Sequence, residues 1–142
     1  MSTALRSALT GANQGQRRLN DVAALLSDPR IKAQIALALP RHVTADRLAR
    51  VALTEVRRVP ALAKCDQLSL LGAIMTCAQL GLEPGGPLGH AYLVPFENQK
   101  AGRFEVQFIL GYRGMIDLAR RSGQIRSIEA RAVYEGDRKS VV

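Results

Sequence analysis

The segment HAYLVPFENQKAGRFEVQFIL (90–110) carries the clearest structural pattern in this chain. Apolar and polar residues alternate in two runs, 90–96 and 103–110, which is typical of strands that bury one face. The polar segment 97–102 between them has the length of a hairpin loop. The stretch therefore predicts a β-hairpin.

The hairpin is predicted to have one apolar face and one mixed face. The apolar face collects Ala91, Leu93, Phe104, Val106, Phe108 and Leu110. A register that pairs Phe96 with Arg103 puts an aromatic ring, an amide and a guanidinium on the mixed face. These groups belong to Tyr92, Gln107 and Arg103, with Tyr92 opposite Gln107. A strand of nucleic acid can lie against such a face, although packing is the commoner role of a lone tyrosine.

The segment before the hairpin is predicted to be helical, apart from its first residues. Residues 1–18 are small and polar, and they suggest a flexible N-terminal arm without a helix. Apolar residues in 19–39 predict two short helices. A break is expected at Asp28 and Pro29, because the residue before a proline avoids the α region.

The next predicted helix has a basic stripe. It should begin after an N-cap at Thr44 and run to about Val59. Apolar residues gather on one side, and the opposite side carries Arg47, Arg50, Arg57 and Arg58. This stripe is consistent with phosphate contact, with contact to an acidic surface of a neighbouring copy, or with a solvated face.

A buried helix should follow, with Asp66 as its N-cap and Gly81 as its left-handed end. The helix, 67–80, is apolar almost all round, which is typical of a core helix. The glycine- and proline-rich segment 81–89 lacks the Lys-Ser/Thr pair of a phosphate-binding loop. It is therefore interpreted as a connector between helix and strand.

A short basic helix is predicted from about Arg113, closed by Gly123. Its inner side should hold Met115, Leu118 and Ala119, and its outer side Arg113, Asp117, Arg120 and Arg121. The spacing of Arg113 and Asp117 allows an ion pair between them. Alternation in 124–134 predicts one more strand. Helices, a hairpin, a helix and a strand in this order indicate an α+β fold.

The composition narrows the function. The chain has 142 residues and a formal charge of +8, which favours a polyanionic partner such as nucleic acid. Its two cysteines and two histidines do not have metal-ligand spacing, so we expect no metal. The chain contains no apolar run long enough to span a membrane and no secretory pattern at its start, so a cytoplasmic location is expected.

Four motifs in the chain resemble the RecT family of phage and prophage recombinases. They are ALPRHVTADRL (38–48), CAQLGLEP (77–84), LGHAYLVPF (88–96) and GYRGMIDLARRSG (111–123). The resemblance implies a protein that binds single-stranded DNA, assembles into rings or filaments and anneals complementary strands without ATP. It also implies a partner exonuclease, and a hairpin-and-helix core comparable with that of eukaryotic annealing proteins.

The resemblance covers about residues 20–136. Family members continue for about as long again, so 19–142 is expected to be the N-terminal part of one annealing domain. Residues 137–142 do not resemble the family's continuation, and they are interpreted as a tail that is not native to it.

The candidate DNA contacts lie on the hairpin, in its loop and on the helix after it. They are Tyr92, Lys100, Arg103, Gln107, Arg113, Arg120 and Arg121. No catalytic residue, metal or cofactor is assigned. A nuclease would need clustered carboxylates for magnesium, whereas the acids here are scattered. An assembly module whose basic charge is incidental is the other alternative.

Overall fold

A computed structural model describes residues 3–127, 129 and 131–132 of the chain. This part has an α+β fold with an antiparallel two-stranded sheet, as predicted. Its elements are α1 (Thr3–Ser27), α2 (Pro29–Ala38), α3 (Ala45–Arg58), a 3₁₀ helix (Pro60–Lys64), α4 (Gln67–Leu80), β1 (Ala91–Asn98), β2 (Arg103–Leu110) and α5 (Tyr112–Arg121). No helix in the described residues is long and apolar enough to cross a membrane.

Side chains and a glycine set the ends of the helices where the sequence predicts them. Thr44 Oγ1 accepts a hydrogen bond of 3.3 Å from the backbone N–H of Arg47. Asp66 Oδ2 accepts one of 3.1 Å from the N–H of Ser69. Gly81 ends α4 with a φ of 65°, a left-handed conformation that favours glycine. The predicted caps of α3 and α4 are therefore confirmed.

The start of the chain differs from the prediction. The helix α1 begins at Thr3, so the expectation that 1–18 lacks a helix is wrong. The content of glycine, glutamine and serine suggested an arm. However, Leu5, Leu9 and Ala12 recur at the spacing of one helix face, which is typical of an amphipathic helix.

The core forms where α4 packs between the other helices and the hairpin. Leu70 and Ile74 of α4 are almost completely buried, whereas Leu68 points outward and is 77% exposed. The N-terminal turn of α4 also covers the edge of β2. There the N–H of Asp66 donates to the carbonyl of Phe104 (2.9 Å), and the Ser69 hydroxyl accepts from the N–H of Val106 (3.0 Å). These bonds satisfy strand groups that a two-stranded sheet would otherwise leave unpaired.

The hairpin has the predicted faces but a different register. Asn98, not Phe96, is paired with Arg103, so the strands are longer and the turn is shorter than expected. The Asn98 side chain accepts from the N–H of Ala101 (3.2 Å), and the N–H of Gly102 donates to the Asn98 carbonyl (2.8 Å). These bonds close a tight turn. A shift of two residues keeps every side chain on its face, because side chains alternate with a period of two.

The predicted final strand is not present in the part of 124–134 that the structure describes. Residues 124–127, 129 and 131–132 form no strand and are exposed. A strand needs a partner to satisfy its backbone groups, and these residues have no neighbouring strand in the described chain. Residues 128, 130 and 133–134, like the predicted tail 137–142, lie outside the described residues.

Candidate nucleic-acid interface

Glycines at the base of the hairpin let α5 begin directly against the backbone that precedes β1. The N–H of Gly111 donates to the carbonyl of His90 at 3.0 Å. A side chain at Gly111 would overlap the carbonyl oxygen of Gly89, and one at Gly114 would overlap that of His90. Only residues without a Cβ allow this approach, so the motif GYRG (111–114) fixes where α5 points.

The same contact explains which face of α5 is buried. Gly114 is buried, Leu118 and Ala119 are half-buried, and Met115 is 52% exposed. The prediction that Met115 lies on the inner side is therefore wrong. The glycine, not the methionine, meets the neighbouring backbone.

This orientation directs Tyr112 and Arg113 outward. Arg113 Nε donates to the Tyr112 hydroxyl at 3.1 Å, and its Nη1 lies 3.4 Å from the carbonyl oxygen of Pro87. The hydrogen bond to Tyr112 raises the pKa of the Arg113 guanidinium, which stays positively charged. The predicted ion pair between Arg113 and Asp117 is not formed in the described residues. Asp117 is instead paired with Arg121, at 2.6 Å.

Arg121 ties α5 to the end of α4. Its Nη1 and Nη2 donate to the carbonyls of Leu80 (3.0 Å) and Gly81 (3.1 Å). Carbonyls at the end of a helix lack partners within that helix, so a guanidinium there acts as a C-terminal cap. The Asp117 carboxylate is a third contact, so the N–H donors of Arg121 point toward groups of the protein itself.

A cavity of about 350 Å³ lies beside α5. It is lined by His90, Tyr112, Arg113, Ile116, Asp117 and Arg120. Arg120 is exposed and makes no ion pair within the described residues. Because Asp117 is engaged by Arg121, the guanidiniums of Arg113 and Arg120 are the charges that this cavity offers to a ligand.

The basic stripe of α3 lies across the glycine-rich connector from α5. Arg47 and Arg50 line a second cavity, of about 410 Å³, between α3 and residues 83–90. Arg47 forms an ion pair with Glu83, and this hydrogen bond raises the pKa of its guanidinium. His90 lines this cavity, the cavity beside α5, and a third of about 270 Å³ next to both. The arginines of α3 and α5 therefore line neighbouring cavities that share His90.

A buried carboxylate fixes the connector in place. Glu55 of α3 is 6% exposed and accepts a hydrogen bond of 2.9 Å from Arg58 Nη2. Its carboxylate lies so close to Gly85 that any side chain there would overlap it. Gly85 also has a φ of 68°, which disfavours other residues. The connector therefore packs directly against α3.

Comparison with known proteins decides the family. A profile described as the RecT family matches residues 46–142. The chain is 60% identical over 120 residues to Protein RecT of Escherichia coli, which covers 83% of this chain and 45% of that protein. It is 32% identical over 113 residues to an uncharacterized Bacillus subtilis protein, YqaK, with coverages of 80% and 37%. The chain belongs to the RecT family.

This RecT-family chain spans less than half the length of the curated relatives that it matches. The family match itself extends to residue 142, and so it includes the segment 137–142 that the sequence analysis set apart.

Three of the predicted site residues come together at the base of the hairpin in this RecT-family chain. Arg113 and Arg120 line the same cavity, and Tyr92 lies next to Arg113 with its ring against Gly89 and Gly111. The fourth residue of this region, Arg121, is adjacent but bound to α4 as described above. The base is therefore where the predicted contacts are concentrated.

The other three predicted residues lie farther along the hairpin. Gln107 is opposite Val94, in the middle of the strands. Arg103 is at the tip, where its Nε lies 3.1 Å from Glu105 Oε1, and Lys100 is in the turn. At about 3.4 Å per residue, Arg103 lies about 24 Å along β2 from the junction with α5. The structure does not bring these residues to the base.

Sequence reasoning left the role of Arg47 and Arg50 open and did not include His90 among the candidate contacts. The motif LGHAY (88–92) contained the signal, since its histidine stands directly between the glycine-rich connector and a strand. Its proximity to two separate basic helices depends on tertiary packing, which a sequence pattern does not encode.

No group of three or more potential metal ligands occurs among the described residues. Both cysteines of the chain are buried, and burial raises the pKa of the Cys77 thiol to about 12. A thiol with so high a pKa is a poor nucleophile at neutral pH.

Proposed function

We propose that this chain holds single-stranded DNA along the surface formed by Arg47, Arg50, His90, Arg113 and Arg120, here called the junction surface. The observation that carries the proposal is that His90 borders adjoining cavities lined by both basic helices. In the family context, the bound strand is then annealed to its complement.

The arginines act by neutralising phosphates. Guanidinium groups bind phosphate oxygens through two parallel donors, and each neutralised phosphate releases a condensed counterion. Each such contact contributes about 0.7 to the slope of log affinity against log salt for a single strand. Contacts to the backbone leave base edges available, so Watson–Crick pairing itself selects the complementary strand.

The tyrosines at the base of the hairpin supply stacking surfaces. Tyr112 is 65% exposed and Tyr92 is 42% exposed, and both flank Arg113. A base stacked on an aromatic ring contributes about 1–3 kcal/mol without sequence preference. Rings beside guanidiniums are therefore suited to a strand of any sequence.

The remaining parts of the proposal concern the complete protein. We propose that annealing requires no ATP and no bound cofactor, that copies associate into rings or filaments, and that an exonuclease supplies the single strands. The proposed setting is the cytoplasm of a bacterial cell. The family membership and the junction surface support this function.

A salt titration tests the proposal. Binding of a labelled single-stranded oligonucleotide should weaken steadily as salt increases, and two labelled complementary strands should anneal faster with protein and without nucleotide. Affinity independent of salt would contradict the phosphate contacts and favour an assembly module. Cleavage of the labelled strand with magnesium would favour a nuclease.

A further inference from the structure

Glu83 places a negative charge inside the junction surface. It lines two of the cavities that share His90, and Arg47 lines the same two cavities. Glu83 Oε1 accepts a hydrogen bond from Arg47 Nε, and the two side chains form an ion pair. A carboxylate repels phosphates, because like charges at short range raise the electrostatic energy. The acid therefore opposes the function proposed for the arginines around it.

The backbone on both sides of Glu83 is fixed by packing and hydrogen bonding. Leu82 and Pro84 are almost completely buried. The N–H of Gly85 donates to the carbonyl of Ala91 at 2.7 Å. The Glu83 side chain is 28% exposed, so it lies partly within the surface. Its carboxylate is free to turn about the side-chain bonds, but it stays at the junction surface when a ligand arrives.

The guanidinium of Arg47 is the group for which Glu83 and a bound strand would compete. Among the arginines of the junction surface, Arg47 alone forms an ion pair with a carboxylate within the described residues. Its side chain is 67% exposed, so a phosphate in solution can reach it. Carboxylate and phosphate oxygens bind the same N–H donors of a guanidinium. A phosphate must therefore displace Glu83 or share Arg47 with it at close range.

We propose that Glu83 competes with the DNA backbone for Arg47 and so lowers the affinity of the junction surface for a single strand. The inference rests on the proposed function, because it concerns the same surface. Two effects lower the affinity. The ion pair with Arg47 is lost on binding, and the carboxylate then remains close to the bound phosphates.

The two helices of the junction surface therefore hold a strand differently. At α5, the carboxylate of Asp117 is engaged by Arg121, which leaves the other two arginines of that cavity to phosphates. At α3, the carboxylate of Glu83 is engaged by a phosphate-binding arginine itself. The strand is bound more firmly at α5 and exchanges more readily at α3, where it can shift while it pairs with its complement.

Glu83→Gln tests the competition, because the amide keeps the shape of the side chain and removes its charge. Affinity for a short labelled oligonucleotide should rise about two- to fivefold, the range that corresponds to an exposed ion pair. The gain should appear mainly as slower dissociation, since changes within one interface alter dissociation more than association. Glu97→Gln, exposed near the tip of the hairpin, is the control. It changes net charge equally and should leave the dissociation rate unchanged.

Arg47→Ala separates competition from simple repulsion. Without Arg47 there is no ion pair for the strand to break. Glu83→Gln should therefore raise affinity less in the Arg47→Ala chain than in the parent. An equal gain in both chains would mean that Glu83 acts only by repelling phosphates, and the competition for Arg47 would be refuted.

Two further results would overturn the inference. A loss of affinity in Glu83→Gln would mean that the carboxylate positions Arg47 for DNA instead of competing with it. An equal gain in Glu97→Gln would assign the effect to net charge. Chemical denaturation verifies that the variants are folded, and Glu83→Ala, which removes the carboxylate together with its stem, should show the same gain if the amide variant is unstable.

The proposed function fails on different results. Affinity that does not depend on salt, or that is unchanged when Arg113 and Arg120 are both replaced by alanine, contradicts phosphate binding at the junction surface. If salt and these replacements weaken binding as expected and Glu83→Gln has no effect, the junction surface stands and only the role of Glu83 is wrong.

Discussion

The base and the tip of the hairpin both carry basic residues, but the base is packed against α5 and the tip is an exposed turn. At the base, Gly111 and Gly114 press α5 against the backbone of His90, and this packing aims Arg113 and Arg120 at one cavity. At the tip, Lys100 is exposed in a tight turn. The phosphates along one strand need several cations at fixed positions. A binding surface therefore depends on packing more than on charge alone.

Filling the space at the base tests directly whether the packing of α5 on the hairpin positions the arginines. Gly114→Ala should lower the free energy of unfolding by about 1–3 kcal/mol, because the new methyl group overlaps the His90 carbonyl. It should also lower affinity for single-stranded DNA, since α5 must move. Chemical denaturation and oligonucleotide binding measure the two effects.

Gly72→Ala provides the matched control. Gly72 is inside α4, and no atom beyond its own helix lies within 4 Å of the position a Cβ would take. The same substitution should therefore stabilise the chain by about 0.5–1 kcal/mol through helix propensity. If both variants unfolded at the same denaturant concentration, the close approach at the base would not constrain the fold.

Removing the charges at the base should have the next largest effect. Arg113→Ala combined with Arg120→Ala should lower affinity for single-stranded DNA on the order of tenfold and reduce the salt slope by about 1.4. Folding should be little affected, because both side chains are exposed. Anisotropy titrations at several salt concentrations measure both values. Arg57→Ala, on the exposed face of α3 but outside the cavities, is the control and should retain the slope.

The sequence predicted those parts of the fold that depend on local chemistry. The caps Thr44, Asp66 and Gly81 act through neighbouring backbone groups, and a pattern of a few residues reveals them. The faces of the hairpin follow from alternation. Its register does not, because it depends on the turn that the Asn98 side chain closes.

The candidate site was predicted only in part, for a related reason. The arginines of α5 were identified from their helical spacing, but Arg121 was grouped with the others although it caps α4. Which arginine meets a carbonyl depends on how two helices pack. The position of His90 also depends on packing, since it lies beside both α3 and α5 only in the folded chain.

Arg121→Ala distinguishes a packing arginine from a binding arginine on the same helix. The loss of its bonds to Leu80 and Gly81 should lower the free energy of unfolding by about 1–2 kcal/mol. The salt slope of DNA binding should remain unchanged at temperatures where the variant is folded. Were the slope to fall by about 0.7 with stability unaltered, Arg121 would be a phosphate contact instead.

The smallest effect is expected at the tip. Lys100→Ala combined with Arg103→Ala removes as many charges as the double variant at the base, so net charge is matched between the two. Arg103 is already paired with Glu105 in an exposed site, where an ion pair contributes at most about 1 kcal/mol. We expect affinity for a short oligonucleotide to change less than about twofold, because general attraction falls off beyond the Debye length of about 10 Å. An equal loss of affinity in the two double variants would show that net charge, and not the packing at the base, governs binding.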